Sequence, residues 1–184
     1  MNSSLLATKH CQLRAADLDD LSALEHALAM PEFPRKLPLS EMYKAGRLNA
    51  WLARFCQAAP DGKPQLWSID LPETRCIGQV ALVPRPECED YALSFWLTPR
   101  VWGQGLAREA VAAVIEDAFA RRNIGQIWAG AASWNDASAK LMLALHFSRV
   151  PYAGPGYLAD GEMQTIQAFA LTADAWRANR IAQD

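Results

Sequence analysis

No stretch of this sequence approaches the roughly 20 consecutive apolar residues that a membrane-crossing helix needs. The opening MNSSLLATKH lacks the charged start and long apolar run of an export signal, so a cytoplasmic location is expected, with no membrane partner. Cysteine is sparse and scattered. Cys11, Cys56, Cys76 and Cys88 form neither a Cys-x-x-Cys pair nor a Cys/His zinc spacing, which argues against a disulfide scaffold and a bound metal and for reduced thiols. About a fifth of the residues are charged, with acids and bases mixed and a formal net charge of -2. No basic arm or acidic tail stands out, so nucleic acid is not an expected partner. Internal repeats, low-complexity tracts and linkers are also missing, and residues 1–184 are expected to form a single domain large enough to bury its own core.

What is present alternates between strand and helix patterns. KHCQLR at 9–14 suits a first strand, and Asp17 an N-cap for a helix to about Ala29. The three prolines of MPEFPRKLP make a loop, after which Ser40 is a candidate N-cap for a helix running to Gln57. Strands follow at 65–70, 76–84 and 91–97. In the last, Tyr91, Leu93, Phe95 and Leu97 face one way and Ala92 and Trp96 the other, the pattern of a strand covered on both sides. Leu106 to about Arg122 is amphipathic, with Ala107, Val111, Val114, Ile115 and Ala118 on one face. A strand at 124–131, a helix from Asn135 or Asp136 to Leu145, a Gly/Pro-rich loop, a strand at 164–171 and a helix from Asp174 complete a mixed α/β chain. Most of the seven tryptophans fall in these elements, where core packing is their expected use; Trp102 does not.

The segment RVWGQGLAREA, Arg100 to Ala110, joins a buried strand to an amphipathic helix. Glycines there let the backbone approach a ligand, and the first free N–H groups of the helix suit phosphate, with Arg100 and Arg108 adding positive charge. The segment is not a P-loop, because Leu106 and Ala107 stand where Lys-Ser/Thr is required. Nor is it a dinucleotide fingerprint, because Arg108 occupies the third glycine position and no acid occurs between Asp117 and Asp136.

Arg100-Val101-Trp102-Gly103-Gln104-Gly105 resembles the Arg/Gln-x-x-Gly-x-Gly/Ala loop of the GNAT acetyltransferases. GQGLAREA is similar to the helix start of their RimJ/RimL-like branch, and WNDASAKLMLALHF to its Asn-x-x-Ser…Leu-Gly-Phe segment, through Asn135, Ser138, Leu145 and Phe147. The likeness spans about residues 76 to 176. It implies the acyl-CoA N-acyltransferase fold, a central and mostly antiparallel sheet whose fourth and fifth strands are a parallel pair that splays apart, flanked by helices. It further implies an N-acetyltransferase that uses acetyl-CoA as cosubstrate and no metal. Acetyl-CoA would be held by Phe95, Trp96, Leu97, Arg100, Val101, Trp102, Gly103, Gln104, Gly105, Leu106, Ala107, Asn135 and Ser138. Ser138 would also assist the departing sulfur, and a backbone N–H around Phe95 to Leu97 would polarise the thioester carbonyl.

Three positions depart from the branch, one of them His146, which stands where the Leu-Gly-Phe segment has glycine. Ala92 stands where a Glu is common, and Met142 where many GNAT enzymes carry a tyrosine acid. Deprotonating the amine is easier for an α-amino group, of pKa near 8, than for a lysine, of pKa about 10.4. Glu89 and Asp90, at the entry to the 91–97 strand, are candidate bases. No nucleophile for an acyl-enzyme is evident near the loop, with Cys88 left open. The acceptor would enter beside the 31–40 and 151–163 loops, the second carrying Tyr152, Tyr157, Asp160 and Glu162. It is expected to be a protein N-terminus or a small amine, and a homodimer is an open option. The alternative is a non-catalytic acyl-CoA-binding sensor or partner-binding module, which Ala92 and Met142 favour.

Overall fold

Alternating apolar residues gather most of the strands into one sheet. The computed structural model describes residues 5–57, 65–85, 88 and 90–181. In chain order these form β1 (Leu6–Ala7), β2 (Gln12–Ala15), a 3-10 turn (Leu18–Asp20), α1 (Leu21–Ala29), α2 (Pro38–Lys44), α3 (Leu48–Cys56), β3 (Leu66–Leu71), β4 (Thr74–Pro84) and β5 (Tyr91–Leu97). A second 3-10 turn (Pro99–Val101) leads to α4 (Leu106–Arg121), β6 (Gln126–Ala132), α5 (Asp136–Ala144), β7 (Ser148–Val150), β8 (Tyr157–Ala159), β9 (Glu162–Gln164), β10 (Ile166–Thr172) and α6 (Ala173–Ile181). The main sheet has the order β1-β2-β3-β4-β5-β6-β10-β7, and β8–β9 is a separate hairpin.

Every neighbouring pair is antiparallel except β5 and β6. That parallel pairing runs from Tyr91↔Ile127 to Leu93↔Ala129 and stops. Beyond it, β5 stays with β4 as far as Leu97↔Gly78, and β6 stays with β10 as far as Ala132↔Ile166. Each strand is held by its outer neighbour, so the inner edges diverge and the sheet opens between them. With the short β1 counted, this splayed pair is the fifth and sixth strands of the chain.

Helices cover both faces. Ala110, Val111, Val114 and Ile115 of α4 are fully buried in a cluster with Leu93 and Leu97. On the other face Trp96 packs with Leu24 and Leu28 of α1, and Leu52 of α3 packs with Leu66 and Ala81.

The structure departs from the sequence expectations at a few points. The helix expected over 40–57 is two helices, broken where Gly46 takes a φ of 64°. Ser40 is not its cap. Leu37 holds that position with Pro38 at the first turn, and the buried Ser40 hydroxyl donates to the Pro34 carbonyl at 2.8 Å. Asp17 does cap, but it caps the 3-10 turn ahead of α1 through a reciprocal capping box with Asp20. Within the Gly/Pro-rich stretch expected to be loop, the β8–β9 hairpin turns at Asp160-Gly161.

Candidate active site

A cavity of about 770 Å3 passes through the gap where β5 and β6 part. On the α4 side it is lined by Leu106, Ala107, Ser138, Leu141 and Met142; on the α1–α3 side by Leu37, Met42, Trp51, Leu66 and Ala81. The strand edges between them, 93–97 and 128–132, form its waist. One opening thus connects the two faces of the sheet.

The glycine loop stands at the α4 end. Gly103 and Gly105 have φ of 76° and 78°, a backbone that residues with a Cβ adopt only with strain, and open space lies where their Cβ atoms would be. Gly105 is also the N-cap of α4, and having no side chain it makes no capping bond. The Glu109 N–H closes the first turn onto the Gly105 carbonyl at 3.1 Å, so the preceding helix N–H groups are left for a ligand. Trp102 anchors the loop: its indole N–H donates to the Leu97 carbonyl at 2.9 Å, and its ring lies 6.5 Å from Phe33.

Strand alternation fixes which β5 groups face the gap. Thr98 donates its N–H to Ile77 of β4 at 2.8 Å, and a Cβ on Gly78 would lie 2.3 Å from the Trp96 carbonyl, so the backbone groups of Trp96 and Thr98 face β4. Those of Phe95 and Leu97 therefore point the opposite way, into the gap, beyond the last pairing with β6. These are two oriented N–H groups on the edge of β5 that faces the gap.

Opposite them, α5 presents Ser138 to the cavity. Asn135 caps this helix, its side-chain oxygen accepting from the Ser138 N–H at 3.1 Å. Met142, one turn on, is buried in the cavity wall and carries no proton to give.

Of the residues expected to hold the cofactor, Phe95, Trp96, Leu97, Val101, Trp102, Gly103, Gly105, Leu106, Ala107, Asn135 and Ser138 all line this cavity. Arg100 and Gln104 are exposed on the same loop outside the lining, and an Arg100 nitrogen lies 3.2 Å from His26 Nε2. Of the candidate bases, Asp90 is not brought in. Asp90 lies beyond the other end of β5, where it accepts from the Gln126 amide at 3.1 Å and pairs with Arg85 at 3.7 Å. Glu89 lies outside the described residues. Cys88 is exposed, and none of the four cysteines lines the cavity.

On the expected acceptor side, Tyr157 lines the cavity and donates its hydroxyl to the Lys36 carbonyl at 3.0 Å. Tyr152, Asp160 and Glu162 do not line it; the two acids pair with Lys44 at 3.0 Å and Lys36 at 2.5 Å, fastening the β8–β9 hairpin to α2 and the loop before it.

Sequence reasoning missed half of the aromatic wall. Trp51 and Trp128, from elements where core packing was expected, line the cavity beside the expected Trp96 and Trp102. It also missed Gln79, whose fully buried side chain lies between the cavity and a polar network. The Trp96 indole donates to Gln79 Oε1 at 3.0 Å, Gln79 Nε2 donates to Ser68 Oγ at 3.1 Å, and Ser68 donates to Asp20 at 2.6 Å. Burial alone would raise the Asp20 carboxyl, but hydrogen bonds from Arg14, Ser68 and the Asp17 N–H outweigh it and hold its pKa at about 2. An alternation that places a glutamine on the inner face of an otherwise apolar strand was the available signal.

A family model described as an acetyltransferase (GNAT) domain matches residues 11–148, from the entry to β2 into β7. The chain belongs to the GNAT acetyltransferase family. As a GNAT acetyltransferase it uses acetyl-CoA as cosubstrate, and among the described residues no group of side chains is arranged to hold a metal ion. No curated protein sequence matches it significantly. Solved structures share the fold at low identity. RimL, a ribosomal L7/L12 α-N-protein acetyltransferase in complex with coenzyme A, is 17% identical with a TM-score of 0.79, covering 94% of this chain and 99% of that one. RimJ of Mycobacterium smegmatis, in complex with a CoA disulfide, is 17% identical with a TM-score of 0.74, covering 94% and 89%. A spermidine N-acetyltransferase SpeG chimera from Vibrio cholerae and hSSAT is 15% identical with a TM-score of 0.75, covering 92% and 99%. No described helix of this GNAT protein is long and apolar enough to cross a membrane.

Proposed function

We propose that this acetyltransferase moves an acetyl group from acetyl-CoA directly to a primary amine within the cavity that crosses the sheet. The pyrophosphate rests on the N–H groups from Gly103 to Ala107, with Arg100 and Arg108 supplying positive charge, and Val101, Trp102, Gln104 and Leu106 shape the same loop. The pantetheine arm follows the open edge of β5 past Trp96, with Asn135 near it. The N–H groups of Phe95 and Leu97 polarise the thioester carbonyl, and they stabilise the oxyanion that forms as the amine attacks. Ser138 donates to the departing sulfur. The amine nitrogen bonds to the acetyl carbon, the carbon–sulfur bond breaks, and CoA leaves as thiolate, so no acyl-enzyme forms.

The observation that carries this reading is the continuous passage from the glycine loop on one face of the sheet to an apolar lobe on the other. Donor and acceptor meet at its waist, where the two β5 N–H groups point. Because Asp90 is tied at the far end of β5, the amine is assigned to lose its proton to water. We further assign the chain to the RimJ/RimL-like branch, as a single cytoplasmic domain able to act as a homodimer.

Thiol release from acetyl-CoA in the presence of a mixed panel of peptides and small amines tests the function. Amine-dependent release is expected. Tight acetyl-CoA binding with no release for any amine would contradict transfer and favour a binding module.

A further inference from the structure

We infer that the acceptor is a primary amine carried on a bulky apolar group and bound in its neutral form, an inference that rests on the donor assignment above. The lobe on the α1–α3 side is walled by Leu37, Met42, Trp51, Leu66, Ala81 and Trp128. Among the described residues no aspartate, glutamate, histidine or lysine lines the cavity, and its one charged residue, Arg108, belongs to the glycine-loop end. The polar side chains on this side are already engaged or small. Gln79 is held by Ser68 and Trp96, the Tyr157 hydroxyl is donated to Lys36, and Ser94 is a single hydroxyl on β5. Asp160 and Glu162 of the β8–β9 hairpin and Glu41 of α2 are paired with lysines outside the lining.

A cation entering such a lobe loses its hydration and gains no carboxylate, so the lobe disfavours an ammonium and every additional charge on the acceptor. The same desolvation removes the need for a strong base. An α-amine of pKa near 8 is about one-tenth neutral at pH 7, whereas a lysine-like amine of pKa about 10.4 is neutral in fewer than about one molecule in a thousand. Side chains of the size of Phe or Leu fit a wall of tryptophan and aliphatic groups, and burying them favours binding. The chemistry therefore selects a hydrophobic α-amine, either the first residue of a polypeptide or a small amino-acid derivative.

The test uses the intact protein, and calorimetry first establishes acetyl-CoA binding. Acetylation is then compared for peptides that differ only in a first residue of Phe, Leu, Ser, Asp or Lys, with phenylalaninamide and spermidine alongside. The expected result is a kcat/KM at least tenfold higher for Phe- or Leu-first peptides, or for phenylalaninamide, than for Asp- or Lys-first peptides and spermidine. The ratio of peptide to phenylalaninamide distinguishes the two sources. If acetyl-CoA binds but Asp-first, Lys-first or spermidine acceptors are used as well or better, or if no apolar amine is turned over, the inference is overturned while the donor assignment stands. Failure of acetyl-CoA to bind would overturn the donor assignment and this inference with it.

Discussion

The Trp96 indole N–H donates to Gln79 Oε1 at 3.0 Å, joining the strand edge that borders the cavity to a buried polar chain ending at Asp20. Trp96 and Gln79 sit opposite each other in the β4–β5 ladder, so the bond fixes two side chains that both line the cavity.

Gln79→Leu leaves the Trp96 N–H without a partner in a buried setting, while the Ser68 hydroxyl still donates to Asp20. An unsatisfied buried group costs about 1–3 kcal/mol, so the variant is expected to lose roughly 2 kcal/mol of stability in urea unfolding. It should also bind acetyl-CoA more weakly, since the Trp96 ring is no longer held. A variant of unchanged stability would show that the amide bridge is not structural.

Acid should unfold the protein through two carboxylates. Asp20 is fully buried. Burial would raise Glu109, but hydrogen bonds from Thr8 and from the side chain and N–H of His10 outweigh it and hold its pKa at about 2, as Asp20 is held. Both lie below their ordinary values, so the folded state binds fewer protons than the unfolded chain. The stability they contribute is full above about pH 4.5 and is lost as the pH falls toward 2. Asp20→Asn is expected to cost about 3 kcal/mol at neutral pH, because it breaks a buried pair with Arg14. It should also flatten the stability profile between pH 4.5 and 3, measured by urea unfolding across that range. An unchanged acid limb would contradict the assignment.

At Gly105, with its φ of 78°, a β-branched residue is strained by roughly 1–2 kcal/mol and projects its methyls into open space beside the helix N–H groups. Gly105→Val should stay folded and raise the Kd for acetyl-CoA at least tenfold by calorimetry. Unaltered affinity would remove the loop from the donor site.

Ser138→Ala tests the leaving-group role. A hydrogen bond to a developing charge contributes about 1.5–3 kcal/mol, so kcat should fall roughly 10- to 100-fold. The affinity for acetyl-CoA should change little, and Asn135 should still cap α5 through the backbone N–H of residue 138. A fall in affinity with unchanged kcat would make Ser138 a binding residue only.

The elements that carry the donor assignment were legible because each is local. The alternation of Tyr91, Leu93, Phe95 and Leu97 against Trp96 gave a strand covered on both faces, and the glycine loop and α4 followed directly, within a residue or so of their boundaries. Asn135 was readable as a cap from its position alone. What depended on long-range contact was hidden. Trp51 and Trp128 look like core residues in sequence and become cavity wall only because β5 and β6 separate after Leu93↔Ala129. Asp90 looked available as a base until β5 placed it at the end away from the glycine loop. The β8–β9 hairpin was a missed local signal, since Asp160-Gly161 is a favoured two-residue turn and both residues have positive φ. His146 replaces the branch's glycine and takes the left-handed backbone, with a φ of 66°, that a glycine would accept without strain.

The most direct test of the central claim is thermal melting of the intact protein with acetyl-CoA, with NADH and ATP in parallel. At about 100 times the Kd, a single site should add roughly 2.7 kcal/mol, which for a chain of this size raises Tm by on the order of 5–10 °C. The account predicts that rise with acetyl-CoA and none with NADH or ATP. No rise at saturating acetyl-CoA, or an equal rise with NADH, would contradict it.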